Sequence, residues 1–174
     1  MIGDAIRLRR DRRGSAAAEM ALVLPLLLTI LFGSLELGNY FMNEHTLIKA
    51  VRDGARFAAR QGFVNYTGCN TGDLATAVVT STKNVVMNGA VSGGSIITPN
   101  INAGDITVST SCMVTTPGID GQTMTGIYTG RVGGAQIVQV SARVDYRPIM
   151  ASAFGFSGAG LTLNAASQAA VAGN

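Results

Sequence analysis

A chain of 174 residues has room for one modest domain plus a helical anchor, and only 13% of it is charged against 47% apolar, with no tryptophan. The net charge of +3 sits at one end: residues 1–14 hold Arg7, Arg9, Arg10, Arg12 and Arg13 against Asp4 and Asp11, and the rest balances eight basic with eight acidic side chains. A body without basic excess argues against a nucleic-acid partner, and leaves the arginines as a topology signal.

The polar leader gives way at Ser15 to an apolar run that continues to Leu35. Those 21 residues, at ~1.5 Å each, make a helix of about 31 Å, the thickness of a bilayer's hydrocarbon core. The run is long for a cleaved secretory signal, and no small-x-small site follows it, so a retained anchor is expected. Arginines before the span and Glu36 after it place the N-terminus in the cytoplasm. Pro25 removes one backbone bond within the span and is expected to bend it locally.

Beyond the span the pattern becomes amphipathic. Leu37, Tyr40, Phe41, Leu47, Ile48, Val51, Ala55 and Ala58 recur at three- and four-residue steps, and Lys49 and Asp53 are spaced for an i,i+4 ion pair. One continuous helix from about Ser15 to about Arg60 follows, with Gly62 as its stop. Asp73 is placed to cap a second helix running to about Met87, with Leu74, Ala77, Val78 and Val85 on its apolar face and Asn88-Gly89 ending it. Period-two alternation then marks three strands, 106–114, 138–146 and 161–165. Pro117-Gly118, Asp120-Gly121 and Gly133-Gly134 supply turns, and Arg147-Pro148 closes the second strand. The expected fold class is α+β, a long helix packed by a short helix and a small antiparallel sheet of about three strands.

Cys69 and Cys112 match no metal-binding spacing. In an oxidising compartment they can close a loop of roughly 40 residues worth about 3–4 kcal/mol; otherwise they are two buried thiols.

The segment richest in chemistry is Arg12-Arg13-Gly14-Ser15-Ala16-Ala17-Ala18-Glu19-Met20. Gly14 tolerates the backbone geometry a narrow protease cleft demands. Glu19 places a carboxylate one turn inside an apolar span, where a charge costs roughly 2.5–3.5 kcal/mol at the helix centre and less near the interface. Cleavage after Gly14 would make Ser15 a positively charged N-terminus four residues before Glu19. That amine could neutralise its own Glu19 or that of a neighbouring subunit.

Glycine, then five residues ending in glutamate, then an apolar helix, resembles the processing signature of type IV pilin-like proteins. More specifically, Arg13 to Leu28, Phe32-Gly33-Ser34-Leu35-Glu36-Leu37-Gly38 and Ala50-Val51-Arg52-Asp53-Gly54-Ala55-Arg56-Phe57-Ala58-Ala59 resemble the TadE-like pseudopilins, or minor pilins, of the tight-adherence (Flp) pilus system. The resemblance covers about residues 12–60. It implies cleavage by a prepilin peptidase and a role in assembling or initiating an adhesive surface pilus. Other pilin and pseudopilin subunits, the inner-membrane assembly machinery and the lipid bilayer are the implied partners. Met20 stands where major Flp pilins have tyrosine, and the chain is far longer than those subunits, which favours a minor pilin. The Asp-x-Ser-x-Ser metal motif of longer relatives is absent.

The sequence offers little for catalysis. His45 is the only histidine, which leaves no histidine-based triad or multi-histidine metal site. Glu36 and Glu44 read as solvated or subunit-pairing charges. Gly130-Arg131-Val132-Gly133-Gly134 lacks the lysine and following helix of a phosphate loop. Asn65-Tyr66-Thr67 fits a glycosylation acceptor only formally. The expectation is a non-enzymatic, cofactor-free subunit with a cytoplasmic leader 1–14. A helix 15–61 follows, with transmembrane segment 16–35, and then a periplasmic or surface head 62–174 stapled by Cys69–Cys112. A pilus-tip adhesin using loops near 115–135 and a signal-anchored periplasmic binding protein are the alternatives.

Overall fold

The computed structural model describes residues 13–113, 126–129, 134–149 and 160–173. Residues 1–12 of the leader, the turns at Pro117-Gly118 and Asp120-Gly121, residues 130–133 and Val114 lie outside them. Helix α1 spans Arg13–Ala59 and α2 spans Thr76–Asn88, followed by strands β1 (Ile106–Met113), β2 (Ala135–Asp145) and β3 (Thr162–Ala170). The strands form one antiparallel sheet in the order β1-β2-β3, an α+β architecture.

Only the second half of α1 is covered. Leu47, Ala50, Val51, Ala55, Ala58 and Ala59 are buried, the three- and four-residue spacing of one helix face. Small residues there let α2 approach closely, and a Cβ added at Gly54 would collide with Val86 Cγ2. Leu37 and Phe41, expected on this face, are exposed instead. The expected Lys49–Asp53 pair gives way to a contact between Asp53 and Arg56, 3.9 Å apart and largely exposed.

The short helix corrects two expectations. Its N-cap is Ala75, with no side-chain cap, and the Asp73 carboxylate instead accepts from the backbone and side-chain nitrogens of Asn70 at 2.8 and 3.1 Å. Asp73 thereby fastens the loop carrying Cys69. The buried face of α2 is Val78, Thr82 and Val86, with Ala77 exposed and Val85 half-buried. Valines at 78, 79, 85 and 86 leave the face ambiguous, and packing against Gly54 decides it. Gly89 ends the helix in the left-handed region, at φ 68°.

In β2, Val138, Val140, Ala142 and Val144 point inward, with Tyr146 just beyond the strand's end, joined by Ile106 and Val108 of β1 and Leu163 of β3. β2 begins three residues earlier than the alternation implied, and β3 runs on to Ala170 through small and polar residues that carry little period-two signal. The Tyr40 hydroxyl donates to the Thr162 carbonyl at 3.4 Å, and Ala172 N–H donates to Ala59 O at 2.9 Å. β3 therefore runs alongside α1 in the same direction, from Tyr40 to the helix's end. The 106/145/162 end of the sheet lies toward the apolar half of α1, and the 113/135/170 end lies away from it.

At that far end the loop 66–74 closes on itself through a bridge between Tyr66 and Leu74. Cys69 and Cys112 are joined across it, with S–S 2.04 Å. Thr110 Oγ1 donates to Asn70 O at 2.5 Å and Gln136 Nε2 to Tyr66 O at 3.2 Å. The Tyr66 hydroxyl donates to Ala58 O, and burial pushes its phenol from 10.0 up to about 12. A raised folded-state value means that this contribution to stability is complete below pH 10 and lost as pH rises through about 12. Alkaline unfolding followed by circular dichroism is expected to show that loss. Tyr66→Phe should remove this part of it, at a cost of about 1 kcal/mol at neutral pH.

Candidate assembly helix and its junction with the head

From Gly14 to Leu31 every residue of α1 is exposed, and none of its most apolar 18-residue window is buried. Met20, Leu22, Val23, Leu24, Leu26, Leu27, Leu28, Ile30, Leu31 and Leu35 all face outward. A core helix hides such residues, and water does not tolerate a continuous apolar surface of this size. This helix is long and apolar enough to cross a membrane. Its hydroxyls are already matched: Thr29 Oγ1 donates to Pro25 O and Ser34 Oγ to Leu31 O, both at 2.8 Å. Such internal pairing suits a lipid environment, which offers no water. Pro25 sits inside the unbroken helix.

Ser15 and Glu19 meet at the N-terminal end, where Ser15 Oγ donates to Glu19 Oε1 at 3.3 Å. One turn of helix puts them on the same side, so a group on Ser15 reaches the carboxylate without rearrangement. Gly14 is helical here and not in a left-handed conformation. The cysteines, also singled out in the sequence, lie with the head at the other end of α1 and do not join this site.

A second cluster was not anticipated. Where the apolar run ends, the Tyr146 hydroxyl donates to Glu36 Oε1, and the Ile149 N–H donates to the same oxygen at 3.2 Å. Asn39 Nδ2 donates to the Tyr146 hydroxyl at 2.7 Å, and the Tyr40 and Tyr146 rings meet edge-on at 5.1 Å. Burial first, and then the adjacent Glu36 carboxylate, raise the Tyr146 phenol above its ordinary value. Glu36 is thus an internal tie between helix and sheet, which corrects its reading as a solvated or subunit-pairing charge. One signal was available: Tyr146 continues the inward alternation of β2, and an inward tyrosine hydroxyl needs a partner.

A helix long and apolar enough to span a bilayer, with an α+β head folded on its other half, is the class of molecule this fold and site define. Within that class, residues 14–56 match the family model described as TadE-like protein, about a quarter of the chain. The helix is TadE-like, as its resemblance implied, and the match ends before the head. The family points to involvement in Tad pilus systems, with other pilin subunits as partners. No curated protein and no solved structure matches the chain.

Proposed function

We propose that the chain is a minor pilin, or pseudopilin, that assembles or initiates a tight-adherence (Flp, type IV) pilus after a prepilin peptidase removes residues 1–14. The supporting observation is the TadE-like match over a helix that is apolar on every side through its first half and carries Glu19 one turn after Ser15. The leader stays in the cytoplasm, the helix crosses the inner membrane and the head lies in the periplasm or on the pilus, where the disulfide is stable. Cleavage between Gly14 and Ser15 creates an amine within one turn of Glu19, of this subunit or its neighbour. The charge of Glu19 is then compensated in lipid and again within a bundle of pilin helices. Moving from bilayer to bundle exchanges one low-dielectric setting for another, so the anchor can be extracted by the inner-membrane assembly machinery.

The test is intact mass and N-terminal sequencing of protein from native membranes. A mature chain beginning at Ser15, with the Gly14→Leu variant retaining its leader, is the expected result. A wild-type chain that keeps Arg7 to Gly14 beside an active prepilin peptidase would leave a signal-anchored protein and refute the assembly role.

A further inference from the structure

We propose that the head is seated on the bilayer surface, through an apolar rim formed by Ile149 and Leu161 beside the exit of α1; the proposal rests on the reading of α1 as a membrane anchor.

The rim's height is fixed by hydrogen bonds. The Ile149 N–H is held by Glu36, the first residue after the apolar run. Leu161 O accepts from Tyr146 N–H at 2.9 Å, and Tyr146 is itself tied to Glu36 and Asn39. Thr162, next to Leu161, is bonded to Tyr40. Both side chains therefore lie level with residues 36–40 of the helix, within about 7.5 Å of Leu35 at ~1.5 Å per residue. The headgroup layer on each side of a bilayer is about 5–7.5 Å deep. If the span occupies the hydrocarbon core, the rim lies inside that layer.

The rim is also apolar and open. Ile149 is 57% exposed and Leu161 53%, although each adjoins a well-buried residue, Tyr146 or Leu163. Leu37 and Phe41, exposed on α1 at a four-residue step, carry the apolar surface of the span past Glu36. A solvated head has no use for large apolar side chains here, whereas an interfacial one buries them in the lipid boundary. The nearby charges do not favour an anionic partner: Arg147 shares its cleft with Asp105 and Asp145. The seat is an apolar attachment to phospholipid, indifferent to salt and formed equally on zwitterionic membranes.

The absence of native tryptophan makes single-tryptophan reporters clean. The full chain is reconstituted into phosphatidylcholine vesicles with brominated acyl chains, carrying Ile149→Trp, Leu161→Trp, Leu27→Trp in the span, or Val64→Trp at the far end, where Val64 is 88% exposed. Emission at positions 27, 149 and 161 is expected to fall at least twofold relative to unbrominated vesicles, with position 64 unchanged. Quenching at 27 without quenching at both 149 and 161 would overturn the seat and leave the anchor standing. Equal quenching at 64 would also overturn it, and no quenching at 27 would remove anchor and seat together. A lipid-partitioning carbene label on the unsubstituted chain must mark Ile149 and Leu161; failure to do so refutes the seat independently of any substitution.

Discussion

Replacing both cysteines, Cys69→Ser with Cys112→Ser, is expected to lower the stability of the head by about 4 kcal/mol, the chain-entropy value for a cross-link spanning 43 residues. The native fold should survive the change. The bonds from Thr110 to Asn70 and from Gln136 to Tyr66 hold the same loop on the same end of the sheet. What the disulfide restricts is the unfolded chain, in which the loop 66–74 and β1 would otherwise separate. Urea unfolding of the detergent-solubilised full chain, with and without reductant, measures the effect. A loss below about 1 kcal/mol would mean that these polar contacts dominate.

Leu47→Ala and Leu27→Ala make the same chemical change on the same helix and are expected to differ sharply. Leu47 is fully buried in the core of the head, and its truncation removes apolar contact and leaves a cavity, at a cost of about 2–5 kcal/mol. Leu27 is exposed, on a stretch of α1 that buries nothing among the described residues, so its truncation should leave the head's urea midpoint unchanged. The comparison measures where the helix stops belonging to the head and becomes anchor. Equal costs at the two positions would show that the apolar half of α1 folds back on the head in solution.

The long helix, its buried face at Leu47, Val51, Ala55 and Ala58, and the inward alternation of β2 were legible because their periodicity needs no partner to be read. Gly89 was legible because few other residues end a helix in the left-handed region. Asp73 was misread because an aspartate can close a turn as well as cap a helix, and proximity to Asn70 settles the choice. The face of α2 depended on Gly54, which lies more than 20 residues earlier and has no side chain to signal a contact. Glu36 was obscured by distance in sequence, since its tyrosine partner lies 110 residues away. At the N-terminal site, the four-residue spacing puts Ser15 and Glu19 one helical turn apart, and the bond formed there is from the Ser15 hydroxyl, whereas the expected partner is the amine that cleavage after Gly14 would create.

The alignment of β3 with α1 has a mechanical consequence. Tension applied along the helix and resisted at the distal end of the head runs parallel to the β2–β3 ladder, from the Asp145–Thr162 pair to the Ile137–Ala170 pair. The ladder is then strained in shear, with its hydrogen bonds sharing the force together, and not peeled open one rung at a time. Pulled in this direction the head resists as a block, whereas a pull across the strands would unzip it from one edge.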